Sequence, residues 1–117
     1  MALDHVQLAM PPGGEDQAEA FYSGLLGLQR KPKPQPLAAR GGAWFSNGDV
    51  VLHLGAEEGF RPARKAHPAL VVDNLDDLAA HLTAAGCEVR PDTELAGVHR
   101  CYVDDPFGNR IELIDAG

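Results

Sequence analysis

The feature that most constrains this chain is that it runs through one pattern twice. In the first half a strand from Leu3 to Met10 carries His5, a helix follows from Glu15 to Leu26, and Gly27 closes it. A strand with Trp44 and Phe45 then turns at Asn47-Gly48 into a strand, Val50 to Leu54, that carries His53. In the second half a strand from His67 to Val72 leads to a helix opened by Asn74 and closed by Gly86. A strand from Val98 to Val103 then turns at Gly108-Asn109 into a last strand, Arg110 to Ile114, that carries Glu112. One further strand in each half is weak by pattern, near Leu28 to Arg30 and Glu88 to Arg90. Each half therefore reads βαβββ. The first module covers about residues 1–57, a linker 58–66, and the second module 67–117. Two such sheets, each with a helix on its apolar outer face, can turn their mixed inner faces toward one another, and those inner faces then line a cleft. The predicted fold is α+β: two tandem βαβββ modules whose helices lie outside and whose sheets form a half-open cleft.

The element types follow from periodicity. Val6, Leu8 and Met10 share one face of the first strand, while His5, Gln7 and Ala9 share the other. Ala18, Phe21 or Tyr22, Leu25 and Leu26 form the stripe of the first helix, and Leu75, Leu78 and Leu82 that of the second. Acidic residues open the first helix, as its dipole favours. Asn74 is a good N-cap for the second. Lys31 to Pro36, with a proline at every second position, reads as an exposed extended loop. The stretch around Arg61, Arg64 and Lys65 reads as a linker, and Pro91 to Gly97 as a loop.

Charge narrows the partners. The 117 residues carry a net charge of −7, which disfavours nucleic acid and anionic membrane surfaces. No apolar run approaches the roughly 18 residues needed to span a bilayer. No basic segment followed by an apolar one opens the sequence, so a cytoplasmic location is expected. Cys87 and Cys101 form no CxxC pair and read as free thiols.

Strand parity then picks out a constellation. His5, His53, His67 and Glu112 sit on the less apolar faces of four strands, two in each repeat. A carboxylate in the middle of an apolar strand is costly to bury unless a cation, a metal or strong donors meet it, which singles out Glu112. If a pseudo-twofold axis relates the repeats, the four side chains converge. Imidazole and carboxylate ligands suit one divalent ion of zinc, nickel, iron, cobalt or manganese. Arg100 and Tyr102 share one face of their strand. The spacings are long, and no local ligand motif such as HExxH accompanies them.

Five stretches carry a family resemblance: Leu3-Asp4-His5-Val6-Gln7-Leu8, Ala20-Phe21-Tyr22-Ser23-Gly24-Leu25-Leu26-Gly27-Leu28, Val51-Leu52-His53-Leu54, His67-Pro68-Ala69-Leu70, and Asp105-Pro106-Phe107-Gly108-Asn109-Arg110-Ile111-Glu112-Leu113. On these the chain resembles the vicinal oxygen chelate superfamily, which groups glyoxalase I, bleomycin-resistance proteins, fosfomycin-resistance enzymes and extradiol dioxygenases. The resemblance spans nearly the full length and implies paired βαβββ modules closing on a cleft. It assigns metal ligation to His5, His67 and Glu112, with Glu112 also the residue that shuttles a proton. His53 stands where glyoxalase I enzymes usually carry glutamate, so it is either a fourth ligand or a substrate-facing imidazole. Gln7, Trp44, Arg100 and Tyr102 are expected to line the substrate pocket, and Arg61 or Arg64 to meet an anionic end of the substrate. The implied activity is that of a glyoxalase-like, metal-dependent enzyme of lyase or isomerase type, acting on a small molecule chelated through adjacent oxygens. The rivals are an Fe(II) dioxygenase, a fosfomycin-type thiol transferase and a non-catalytic binding protein of the bleomycin-resistance kind. Small members of the superfamily commonly pair, so a homodimer is expected.

Overall fold

The computed structural model describes residues Met1–Gly117. They pack as two compact units, Met1–Ala63 and Arg64–Gly117, each a four-stranded sheet with one helix. The first unit runs β1 (Val6–Met10), α1 (Glu15–Tyr22), β2 (Gln29–Lys31), a 3-10 turn (Leu37–Arg40), β3 (Ala43–Asn47) and β4 (Val50–Ala56). The second runs β5 (Ala69–Val72), α2 (Leu75–Ala84), β6 (Arg90–Asp92), β7 (Arg100–Asp104) and β8 (Arg110–Asp115). The sheet orders are β1-β4-β3-β2 and β5-β8-β7-β6. In each unit the first strand lies parallel to the last and the other pairs are antiparallel. The α+β class and the tandem βαβββ order are thus as expected. No helix is long and apolar enough to cross a membrane.

Period-2 burial fixes which face of each sheet meets its helix. In β4, Leu52 and Leu54 are buried, and they pair with Phe45 and Ala43 of β3. Tyr22 of α1 sits over this face, 5.4 Å from the Phe45 ring and edge-on to Phe21 at 4.9 Å. Burying side chains of this size stabilises by roughly 2–3 kcal/mol each. In the second unit, Leu75 and Leu82 of α2 are buried, as are Val103, Ile111 and Leu113 of the sheet. The opposite face of each sheet carries the polar residues considered below.

Several boundaries differ from the sequence expectation. The first helix stops at Tyr22, not Leu26. Gly24 and Leu26 bond back five residues, to Glu19 and Phe21, so the chain winds through wider turns. Leu25 and Leu26 are half-buried in consequence. Gly27 does end the segment, at φ 81°, with Leu28 N–H donating to the Tyr22 carbonyl at 2.9 Å. Asn74 caps α2, its side chain accepting from Asp77 N–H, and Gly86 follows that helix at φ 94°. The first hairpin turns on Gly48-Asp49, since Asn47 and Val50 already pair. Gly48 has φ 56° and Asp49 is not in the left-handed region, the pattern of a turn with glycine in its first central position.

The two weak strands are present but lie slightly further along the chain than expected, reaching into stretches read as loops. Lys31 belongs to β2, and Pro91 sits inside β6 opposite Cys101. Both are three-residue edge strands, too short to show periodicity, and an edge tolerates proline. Three strands also begin later than expected. His5 and His67 precede β1 and β5, and β7 starts at Arg100. Cys87 and Cys101 are free thiols, and Cys101 is buried, which raises its pKa.

Candidate functional site

In the first unit three rings stack. His53 on β4 pairs across the sheet with Trp44 on one side and Gln7 on the other. The Trp44 and His53 rings are nearly parallel, 6° apart, with centroids at 4.2 Å. The His5 ring stacks on His53 at 4.2 Å as well. Gln7 lies over Gly55, where a Cβ would sit 2.7 Å from the Gln7 Nε2 atom. His5 Nδ1 is 2.7 Å from Asp4 Oδ2. With Nδ1 donating to Asp4, the neutral ring presents Nε2 as its free nitrogen, the orientation a metal-binding histidine uses. The pKa of His53 is lowered, first by burial and then by the charge of His5, so its imidazole stays neutral at neutral pH.

In the second unit the question posed by Glu112 has a direct answer. Glu112 sits mid-strand on β8, only 6% exposed, between Tyr102 of β7 and Ala69 of β5. Its Oε1 is 2.9 Å from His67 Nε2, and its Oε2 accepts from Arg100 Nη1 at 3.3 Å. Arg100 Nη2 also meets Asp92 Oδ2 at 2.9 Å, so one guanidinium joins two carboxylates. Burial works against the Arg100 charge, but Asp92, then Tyr102 and Glu112, outweigh it and hold the pKa above its ordinary value. The Tyr102 ring meets the His67 ring edge-on at 5.4 Å. Asp92 was not foreseen as a site residue. Its signal was the alternation of Arg90 and Asp92 about Pro91, which the proline masked.

The donor chemistry of this pair suits a divalent cation. His67 Nδ1 lies 2.8 Å from the Lys65 carbonyl, an acceptor only, so Nδ1 donates there. Nε2 then faces the Glu112 carboxylate, and a bare lone pair at 2.9 Å from a carboxylate oxygen is repulsive. A proton must sit between them, or a cation that takes its place. Within either unit, no three His, Cys, Asp or Glu side chains are gathered around one point. The donors are held in pairs: His5 with His53, and His67 with Glu112. Of the remaining residues expected at the site, Arg61 is exposed in the first unit and Arg64 is exposed at the start of the second.

Comparison with known proteins identifies the family and the fold. Residues 2–113 match the family model for the Glyoxalase/Bleomycin resistance protein/Dioxygenase superfamily. A Bacillus anthracis protein assigned to the glyoxalase family is 45% identical, with 98% of this chain and 94% of that one aligned at a TM-score of 0.94. A variant of FosX, a fosfomycin resistance protein from Listeria monocytogenes, was crystallised with Mn(II) and a dihydroxypropylphosphonic acid. It aligns over 99% of this chain and 92% of its own at a TM-score of 0.81, with 14% identity. TnmS3, an antibiotic binding protein from Streptomyces sp. CB03234, aligns over 100% and 99% at a TM-score of 0.74, with 23% identity. No curated protein matches the sequence. The family match over nearly the whole length and the 45% identical structure establish that this chain belongs to the Glyoxalase/Bleomycin resistance protein/Dioxygenase superfamily.

Proposed function

We propose that the protein is a glyoxalase-like, divalent-metal-dependent enzyme acting on a small molecule that offers adjacent oxygens. The observation that carries this reading is the His67–Glu112 pair. A carboxylate is buried in an apolar strand, and the imidazole nitrogen facing it is made a ligand by the Lys65 carbonyl behind the ring. His67 Nε2 and Glu112 Oε1 would hold the ion. When bound, such an ion supplies Lewis-acid stabilisation of charge developing on a substrate oxygen. Glu112 then has a second task, accepting and returning a proton at Oε1, while Arg100 keeps Oε2 in place. Asp92 holds Arg100 in turn. In the first unit, Asp4 meets the His5 ring at Nδ1 and turns Nε2 away from that contact.

The test is metal content per chain by elemental analysis of untagged protein, for wild type, Glu112→Ala and His5→Ala. About one ion per chain in wild type, lost in Glu112→Ala, is expected. Iron would turn the substrate screen toward dioxygenase chemistry, and nickel, zinc or cobalt toward isomerisation. Loss in His5→Ala would add that residue to the ligand set. A wild type that stays metal-free after divalent ions are restored refutes the enzyme reading. The ring stack of His5, His53 and Trp44 favours a second reading, a non-catalytic small-molecule binding protein, because stacked rings offer a flat face to a planar ligand. That reading would then lead.

A further inference from the structure

The second unit contains a cavity of about 330 Å³ lined by Arg64, Arg90, Asp104, Gly108 and Arg110. Three of the chain's ten basic residues meet here, in a protein whose net charge is −7. Only one carboxylate accompanies them. Asp104 Oδ1 takes Arg90 Nη2 at 2.8 Å, and no ion pair engages Arg64 or Arg110. Three guanidiniums against one carboxylate leave a surplus of two positive charges.

The cavity is built by the sheet and its turn. Arg110 pairs with Asp104 in the β7–β8 ladder, two rows along from Tyr102 and Glu112 and so on the same face, and Arg90 pairs with Tyr102 from the other side. The Arg110 guanidinium carbon lies 5.2 Å from the centre of the Tyr102 ring. Stacking on an aromatic face orders a guanidinium while its N–H fork stays free for an oxyanion. Gly108 holds φ 93°, a conformation that favours glycine, and brings the turn to the cavity wall. A smaller cavity of about 170 Å³ in the first unit is also basic, with Arg30, Lys31 and Lys33, but each of those cations is engaged. Arg30 meets Glu19, Lys31 meets Gln29 Oε1, and Lys33 donates to the Gly41 carbonyl.

We infer that this cavity binds a dianionic tetrahedral oxyanion, a phosphoryl or phosphonyl group, through Arg64, Arg90 and Arg110. Two surplus charges match a dianion, and the fork of arginine suits its oxygens. The volume holds such a group with more of a small molecule attached. The further statement, that this group is the anionic end of the substrate, rests on the function proposed above. The binding itself does not.

The experiment is titration of full-length protein with inorganic phosphate, followed by calorimetry and by amide chemical shifts, with acetate as the planar monoanion. Phosphate is expected to shift the amides of Arg64, Arg90, Gly108 and Arg110, and to bind at least tenfold more tightly than acetate. Arg110→Gln should weaken phosphate binding about tenfold and Arg64→Ala several-fold. Asp104→Asn, which frees Arg90 from its carboxylate, should tighten it several-fold, a gain that misfolding cannot imitate. Phosphate affinity unchanged in Arg110→Gln, acetate bound equally well, or no tightening in Asp104→Asn overturns the inference. Metal content measured on the same samples separates the two proposals. Phosphate binding that persists in Glu112→Ala while metal is lost supports this site independently. Metal bound by wild type with no phosphate binding sinks this inference alone.

Discussion

Replacing Asp105 with alanine tests how the loop before β8 holds the site. Asp105 is 5% exposed, and its carboxylate serves three donors. Oδ1 accepts from Phe107 N–H and from Asn109 N–H, both at 2.9 Å, and Oδ2 accepts from the Asn109 side-chain amide at 2.9 Å. Pro106 has no N–H, so the carboxylate reaches the next donor along and closes a side-chain turn. Asp105 N–H in turn donates to the Asn109 carbonyl at 2.8 Å. A hydrogen bond to a charged acceptor contributes about 1.5–3 kcal/mol, and a buried donor left unpaired costs about 1–3 kcal/mol. These contributions overlap, so Asp105→Ala should cost about 3–5 kcal/mol, a large share of the roughly 5–15 kcal/mol that folds a domain. Urea denaturation of wild type, Asp105→Ala, Asn109→Ala and the double variant measures this. The coupling between the two residues should reach about 1–2 kcal/mol. Amide exchange at Phe107 and Asn109 should accelerate well before global unfolding. A loss below about 1 kcal/mol, or unchanged protection of those two amides, would refute the reasoning. The consequence for the site follows from register. This loop sets where β8 begins, and a slip of one residue would turn Arg110 and Glu112 to the helix-covered face.

Other perturbations follow from the same geometry. Leu82→Ala removes a fully buried side chain of α2 and should cost about 2–5 kcal/mol, read from the urea midpoint at constant slope; a cost under 1 kcal/mol would show that the site is loosely packed. Asp115 accepts from Leu75 N–H at the start of α2 and from Gly117 N–H, and these bonds lower its pKa. A carboxyl with a depressed folded-state pKa stabilises above its ordinary value of 3.8 and loses that contribution as pH falls through the folded value. Asp115→Asn should therefore be less stable than wild type at pH 7, with the gap narrowing in acid; a gap independent of pH would contradict this. His53 has the opposite sign of charge and the same direction of pH dependence. Its depressed pKa means that acidification below its ordinary value of 6.5 destabilises the fold, and His53→Phe should remove that part of the acid sensitivity in denaturation curves.

The sequence by itself determined the repeat, the element types and the polar face of each sheet. Alternating burial along β4 and β8 required Leu52 and Leu54, or Ile111 and Leu113, to face the helix, and so turned His53 and Glu112 the other way. Glycines at positions 27 and 86 closed their segments because that backbone conformation is costly for other residues. The same pattern showed that a carboxylate stood in an apolar strand and needed a partner. Which partner was settled by tertiary structure alone. His67 is 45 residues from Glu112 and meets it because β5 lies parallel against β8. Arg100 and Asp92 meet through β6, a strand of three residues with a proline at its centre, too short to leave a periodic trace. The ring stack and the arginine-lined cavity likewise depend on which strands become neighbours. Local periodicity specifies a face. Pairing between distant segments decides which side chains share it, and no spacing along the chain encodes that.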